Sequence, residues 1–143
     1  MTRAKLLRGF FGLVALVALI GTWSQNLHYF EEGAGPGAFA RFIVDLKANP
    51  ATRSISIDIG LFFLAAAAFM VIEARRLNIR FVWLYILGGL LIAISVTFPL
   101  FLAARQAKIG ETAAGAKLNV IDAAAFAALT ALVVGLAFYV AAP

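Results

Sequence analysis

Three carboxylates lie within or beside long apolar stretches of this sequence: Asp58, Glu73 and Asp122. An ionisable side chain in a membrane is costly, so each is a candidate for chemistry unless a local role explains it. Asp58 and Asp122 each stand near the beginning of an apolar stretch, on the same predicted side of the membrane. If their helices pack together, the two carboxylates could share a proton or hold a cation. Asp58 is the candidate for a catalytic acid.

A local explanation competes for both aspartates. Asp58 follows Ser54 and Ser56, and Asp122 follows Asn119 by three residues, which is typical of a helix N-terminus. The exposed N–H groups and the macrodipole at a helix start stabilise negative charge there. The sequence leaves both explanations open for each aspartate.

The segment "SQNLHYFEE" places Asn26, His28 and Tyr29 together, on the side of Asp58 and Asp122. These five residues are the predicted ligand-binding candidates, suited to a proton, a divalent cation or the polar head of a ligand. A single histidine and no cysteine exclude multi-histidine and thiolate metal sites, and no nucleotide loop or hydrolase motif is present. We predict no resident metal and no cofactor.

Glu73 lies near the end of its apolar stretch, where a negative charge opposes the helix dipole. It therefore needs cationic partners, and Arg75, Arg76 and Arg80 are the nearest in sequence. We predict a structural ion-pair cluster of these four residues that clamps two helices together. The alternative is a headgroup or phosphate site built from the arginines and oriented by Glu73.

The elements that position these residues follow from composition: 64% of the 143 residues are hydrophobic and only 13% are charged. Such a chain is a membrane protein. A helix needs about 20 apolar residues to cross the bilayer, and four stretches qualify, at about residues 6–24, 55–75, 81–104 and 120–141. We predict an all-α membrane protein, one domain over residues 1–143, with four transmembrane helices in an antiparallel bundle.

Two further features refine this fold. Apolar residues at helical spacing predict a short interfacial amphipathic helix at about residues 37–48, in the first outer loop. Pro99 removes a backbone donor, so we expect a bend near the outer end of the third helix.

The basic residues predict location and partners. Arg3, Lys5 and Arg8 precede the first helix, and the three arginines at 75, 76 and 80 lie in a tight turn, so both segments and both termini are predicted to be cytoplasmic, in a bacterial inner membrane. As many basic residues lie on the other side, spread through longer loops.

The predicted partners are membrane lipids rather than nucleic acid. A second copy or another protein could pack on a ridge of small residues, namely Ala123, Ala127, Ala131 and Gly135.

Several short motifs occur in a familiar order over about residues 25–106. They are Asn26, Tyr29 with Phe30, Asn49-Pro50, Asp58, Glu73-x-Arg75-Arg76, Trp83, Ser95 and "FPLFLAAR" ending at Arg105. In these motifs the chain resembles a bacterial integral-membrane family, domain of unknown function 2834. The resemblance implies an architecture but no reaction, and it does not extend to the fourth helix or to Asp122.

Three functional hypotheses follow. The leading one is a non-enzymatic inner-membrane protein, an accessory or interaction component or a small-ligand binder. The first alternative is a membrane-embedded enzyme acting on a lipid or isoprenoid with Asp58 as acid, which requires an apolar cavity reaching Asp58. The second is a small proton or ion carrier working as an oligomer, which requires a polar path from Asp58 to Glu73.

Overall fold

The computed structural model describes residues 3–31, 36–110 and 120–141, and within these ranges the regular structure is helical. The elements are α1 (Arg3–Asn26), α2 (His28–Glu31), α3 (Pro36–Asp45), α4 (Pro50–Leu77), α5 (Val82–Gly88), a π-helical turn (Gly89–Ala93), α6 (Ile94–Ile109) and α7 (Val120–Ala141). Four helical segments are long and apolar enough to cross a membrane: Ala4–Glu31, Pro50–Leu77, Val82–Ile109 and Val120–Val140. The predicted all-α fold with four such helices is confirmed.

Helix α4 begins five residues earlier than predicted, because Asn49 caps it. The Thr52 N–H donates to Asn49 Oδ1 at 3.0 Å, and the Asn49 N–H donates to Thr52 Oγ1 at 3.2 Å. This reciprocal capping box, followed by Pro50 at the first helical position, is a strong helix start. Asp58 is therefore more than two turns inside α4, not in its first turn. The amphipathic helix predicted at about residues 37–48 is α3, which ends at Asp45.

The third apolar segment, residues 82–109, turns back on itself. Ala93 has extended backbone angles (φ −179°, ψ 141°) and separates the π-helical turn from α6. The rings of Tyr85 and Phe101 lie 5.7 Å apart, whereas a continuous helix would hold residues this far apart in sequence about 24 Å from each other. Helices α5 and α6 thus form a helical hairpin whose tip is the π-helical turn.

Two glycines make the hairpin tip compact. A Cβ atom added to Gly89 would lie 2.9 Å from Phe63 Cε2 and 3.0 Å from Thr97 Oγ1, and one on Gly88 would lie 3.1 Å from Thr97 Cγ2. Helix α6 accommodates Pro99 in its interior. The chain reversal lies before Pro99, at Ala93, and Gly88 and Gly89 allow the close approach of the backbone there.

Helices α4 and α6 run in the same direction. Contacts between them join Phe62 to Phe98, Phe69 to Phe101, and Glu73 to Arg105, so the partner's number rises along both helices. Segment 82–109 consequently begins and ends at one end of the protein, beside Leu77. We call this end, which holds the turn at residues 78–81 and the end of α6, the arginine end. The hairpin thus adds one reversal of the chain within the third apolar segment, which makes α6 parallel to α4.

Helix α1 packs along α6 more extensively than any other pair of described elements pack on each other. Trp23 near the end of α1 donates its Nε1–H to the carbonyl of Ile92 at the hairpin tip, at 3.3 Å. Helix α1 therefore runs antiparallel to α6 and begins at the arginine end. Helices α2 and α3 lie at the other end of α1, against the hairpin tip, and we call this region the cap.

The core lies between α4 and the hairpin. Met70 and Phe101 are fully buried there, surrounded by a cluster of smaller apolar residues: Ala66, Ala74, Val82, Ile86 and Ile94. Helix α7 is outside this core, since every one of its side chains that the structure describes is exposed. It touches α1 through Phe126, whose ring meets the edge of Phe10 at 5.5 Å.

The hairpin also bears on the placement of the termini. The prediction that both termini lie at the cytoplasmic face depended on four complete crossings. Because residues 82–109 leave the bundle at the end where they enter it, that prediction loses its geometric basis.

Candidate functional site

Glu73 is the buried centre of an ion-pair cluster at the arginine end, whose arginine side chains are partly exposed. Its residue exposure is 8%. Arg76 donates from Nε to Glu73 Oε1 and from Nη2 to Oε2, both at 2.7 Å, which is a bidentate pairing. Arg105 donates from Nε to Glu73 Oε2 at 2.6 Å. One carboxylate thus holds two guanidinium groups, and a lone Glu73 at the end of α4 would be strongly disfavoured.

This cluster differs in membership from the one that the sequence predicts. Arg76 is a partner, as predicted, but Arg75 and Arg80 make no ion pair with Glu73. Arg105, on α6, takes their place, and its guanidinium carbon also lies 5.9 Å from the centre of the Phe69 ring. Sequence reasoning missed Arg105 because it placed that residue on the opposite side of the membrane. The cluster joins α4 to α6 and holds the hairpin against α4.

Arg75 and Arg80 instead line a cleft of about 420 Å³ at the turn between α4 and α5. Asn78 and Phe81 adopt left-handed backbone angles there, with φ of 51° and 60°. For a bulky residue such as Phe81 this conformation is uncommon and strained. Trp83 forms part of the same cleft and is 57% exposed. The cleft is lined by two cations, an amide and an indole.

The cap brings together two of the predicted ligand-binding residues in an open cavity of about 620 Å³. His28 and Tyr29 line it with three further polar residues and two apolar ones: Gln25, Arg41, Asp45, Ala40 and Val44. The Tyr29 hydroxyl donates to Asp45 Oδ2 at 2.9 Å, and Arg41 Nη2 donates to the Tyr29 carbonyl at 2.7 Å. These bonds fix α2 against α3. The volume lies within the range of small-molecule sites.

A second, smaller cavity of about 130 Å³ adjoins the first, and Tyr29 lines both. Asn26 is the other predicted ligand-binding residue here. The remaining walls are apolar or aromatic: Trp23, Phe30, Ala38, Phe39, Phe42, Leu90, Leu91 and Ile92. Trp23 and Phe30 are stacked with ring centres 6.4 Å apart. The cap therefore presents two neighbouring cavities that share Tyr29, one walled mostly by polar residue types and the other mostly by apolar or aromatic ones.

Asp58 and Asp122 are not brought together. Asp58 is exposed on the half of α4 that lies beyond the hairpin tip, and it lines none of these three cavities. Its explanation as a helix-start carboxylate is wrong, because the first turn of α4 holds no acidic residue. Asp122 does lie in the first turn of α7, as predicted. It is one turn from Phe126, which contacts α1 in the half nearer the arginine end, so the two aspartates lie toward different ends of the protein.

In the part of the chain that the structure describes, no group of residues is suited to bind a metal ion. No three of its histidine, aspartate and glutamate side chains lie close enough together to hold an ion. His28 Nδ1 lies 3.3 Å from Glu31 Oε2, and both side chains are exposed.

Comparison with known proteins places the chain in one family and gives no characterised relative. The model of the family described as protein of unknown function DUF2834 matches residues 10–107, well over half of the chain. The match includes most of α1, the cap, α4 and the hairpin, and it stops before α7. No curated protein matches the chain. No solved structure matches it either.

Proposed function

The chain belongs to the DUF2834 family of unknown function, and we propose that it is a non-enzymatic component of the bacterial inner membrane that binds a small amphiphilic ligand at its cap. The observation that carries this proposal is that Tyr29 lines two cavities, one with mostly polar residues in its walls and one with mostly apolar or aromatic residues. A ligand with a polar head and an apolar tail would fill both spaces at once. The resemblance of the sequence to a bacterial family supports the location.

The chemistry of the walls suggests the kind of head. Gln25, His28 and the Tyr29 hydroxyl offer both donors and acceptors, while Arg41 and Asp45 are already engaged with Tyr29. A neutral, hydrogen-bonding head such as a hydroxyl or carbonyl matches these groups better than a charged one. The small apolar cavity beside it would take the first part of a hydrocarbon tail.

The two alternative functions gain no support from the described residues. An enzyme using Asp58 needs a cavity that reaches it, and none of the three cavities does. A carrier needs a polar path from Asp58 to Glu73, which are separated by about 22 Å along α4. Glu73 is also held by two arginines, so it is poorly placed to exchange a proton.

The ligand proposal is tested with purified full-length protein in neutral detergent and two probes that share a carbon skeleton. Farnesol carries a hydroxyl head, and farnesene lacks it. Farnesol should raise the thermal unfolding midpoint, and farnesene should raise it much less. Tyr29→Ala, which removes the shared wall, should abolish the farnesol shift. Asp58→Asn, outside the cavities, is the matched control and should keep it. Equal shifts with both probes, or an unchanged shift in Tyr29→Ala, would refute the site.

The orientation that we propose puts the arginine end at the cytoplasmic face. Basic residues from three segments meet at this end: Arg3, Lys5, Arg8, Arg75, Arg76, Arg80, Arg105 and Lys108. The described basic residues toward the cap are fewer: Arg41, Lys47 and Arg53. An excess of arginine and lysine is typical of cytoplasmic segments. The sequence by itself assigns equal numbers of basic residues to the two sides of the membrane. With the hairpin, more of the described basic residues lie at the arginine end than toward the cap.

The same geometry supports placing the C-terminus at the opposite face. Phe10 and Phe126, which are in contact, each lie about two turns into their helices. If α1 and α7 are parallel, this contact brings both their first and their last residues to similar depths. If they were antiparallel, the same contact would leave most of each helix without the other beside it. This proposal replaces the prediction that both termini are cytoplasmic.

We also propose that a second copy of the chain packs against the small residues of α7. Ala127 and Ala131 are exposed, and a Cβ added to Gly135 would meet nothing within 4 Å, so this side of α7 is open to a close neighbour. The side chain of Ala123, the fourth residue of the predicted ridge, lies outside the described part of the structure. Ala131→Cys should form disulfide-linked dimers in oxidised membranes, and Val133→Cys, on another face, should not; equal yields would exclude this interface.

A further inference from the structure

We propose that the cleft between Arg75 and Arg80 binds a phosphate-bearing anion, and that its occupant is the headgroup of an anionic phospholipid. This site is separate from the cap and does not depend on the ligand proposed there. It is lined by the turn that joins α4 to α5, with Asn78, Phe81 and Trp83 completing the walls.

The first step of the argument is that the acidic partner in this region is already used. Glu73 receives two bonds from Arg76 and one from Arg105. Within residues 3–31, 36–110 and 120–141, neither Arg75 nor Arg80 has an ion pair with a carboxylate. Both are exposed, and both line the same cleft. Two neighbouring cations without a carboxylate attract an anion from outside the described chain.

The second step concerns the shape and chemistry of the cleft. Guanidinium groups present paired donors that match two phosphate oxygens, which makes arginine the preferred residue for recognising phosphate. The Asn78 side chain can donate a further hydrogen bond. Left-handed backbone at Asn78 and Phe81 folds the turn back on itself between the two helices. At about 420 Å³, the cleft has room for a phosphate with its substituent.

The third step is the position of the cleft in the membrane. It lies where two apolar helices end, and Trp83, one of its walls, is of the residue type that favours the headgroup region. The hairpin returns Arg105 and Lys108 to this same end, beside the basic start of α1. The resulting surplus of positive charge attracts anionic lipid, because basic residues near a negatively charged bilayer surface bind it electrostatically. A lipid headgroup is therefore the source of phosphate that the surroundings favour.

The test uses the fluorescence of Trp83 as its signal. The chain has two tryptophans, so Trp23→Phe leaves Trp83 alone. Full-length protein in neutral detergent micelles is titrated with three probes: short-chain phosphatidylglycerol, short-chain phosphatidylcholine and inorganic phosphate. At physiological ionic strength the screening length is about 8 Å, which limits distant charge effects. We expect saturable binding of phosphatidylglycerol, with much weaker binding of phosphatidylcholine.

Substitutions separate a built site from general surface charge. Arg75→Gln and Arg80→Gln should each weaken phosphatidylglycerol binding about tenfold, the effect of losing a charge-assisted hydrogen bond. Arg80→Lys keeps the charge but loses the paired donors, and it should fall between the wild type and Arg80→Gln. Arg8→Gln removes an equal charge from the same end outside the cleft, and it should change binding less than about twofold. All four arginine variants alter exposed side chains, so circular dichroism should show unchanged folding.

Each outcome bears on the proposal. Binding of phosphatidylglycerol but not inorganic phosphate supports a lipid headgroup, and binding of inorganic phosphate alone supports the anion site but replaces the lipid with free phosphate. The proposal is overturned if phosphatidylcholine binds as tightly as phosphatidylglycerol, if no probe alters the Trp83 signal, or if Arg8→Gln weakens binding as much as Arg75→Gln.

Discussion

The arginine end and the cap use polar residues in opposite ways. At the arginine end, a buried carboxylate joins residues far apart in the sequence, since Glu73 on α4 binds Arg105 on α6. At the cap, polar side chains pair over shorter sequence distances and remain largely exposed, as in Tyr29 with Asp45 and His28 with Glu31. The buried pairs at one end fix how the helices are arranged, whereas the exposed pairs at the other leave open cavities. The ion-pair cluster and the ligand site that we propose at the cap thus lie at opposite ends of the helices.

The largest expected effect tests whether the end of α6 lies on the same side of the membrane as the start of α1. The chain has no cysteine, so single cysteines can be introduced freely. We expect Lys108→Cys to react with a membrane-impermeant maleimide only after the cells are opened, like Lys5→Cys. Lys47→Cys, near the cap, should react in intact cells. Labelling of Lys108→Cys in intact cells while Lys5→Cys stays unlabelled would contradict the hairpin and support four crossings.

The next largest effect is expected from removing the long-range ion pair. Arg105→Gln leaves Glu73 with one partner in a mostly buried position, and we expect a loss of about 3 kcal/mol in the free energy of unfolding. The measurement is denaturation of the protein in mixed micelles, followed by circular dichroism. Arg75→Gln is the matched control on α4 and should be close to neutral. A neutral Arg105→Gln would show that the hairpin is held by packing alone.

The hairpin tip gives a steric test. Gly89→Ala places a methyl group 2.9 Å from Phe63 and 3.0 Å from Thr97, and we expect a cost of about 2 kcal/mol from this overpacking. Gly60→Ala lies in the same membrane segment as Phe63 with nothing within 4 Å of the added atom. It should be neutral or stabilise the protein by up to about 1 kcal/mol. Equal effects on unfolding in the two variants would contradict the close approach at Gly89.

The smallest effect should come from the cap. Asp45→Asn weakens an exposed hydrogen bond from Tyr29, and we expect a loss of no more than about 1 kcal/mol. The contrast with Arg105→Gln is the quantity of interest, measured under the same denaturing conditions. If Asp45→Asn proved as costly as Arg105→Gln, the cap would be as rigid as the arginine end, and the proposed division between them would fail.

Predictions from the sequence were most successful where the physical requirement is local. A long apolar run in lipid must be helical because its backbone groups have no other partners, so the helical class and the four apolar segments could be predicted. The start of α4 was also encoded locally, in Asn49, Pro50 and Thr52. The prediction that this helix starts at about residue 55 overlooks the capping box at Asn49. That error created the false helix-start explanation for Asp58.

The candidate sites could be predicted only in part. The need of Glu73 for cations was evident from its position, and Arg76, one turn away, was found correctly. Arg105 could not be found, since its approach to Glu73 depends on a reversal of the chain between them. Likewise the sequence grouped Asn26, His28 and Tyr29 by proximity alone. It did not show that Tyr29 lines two cavities, because Arg41 and Asp45 come from the following helix.

By itself, the sequence determined that this is a helical membrane protein of the DUF2834 family, with basic flanks and few ionisable groups in its apolar segments. Only the tertiary structure decided that residues 82–109 form a hairpin, that Arg105 rather than Arg75 or Arg80 completes the ion-pair cluster, and that Asp58 and Asp122 lie apart. The physical reason is that hydropathy and helix propensity act over a few turns. A reversal at Ala93 depends on the backbone approaching Phe63 and Thr97, and that contact exists only when the helices have packed.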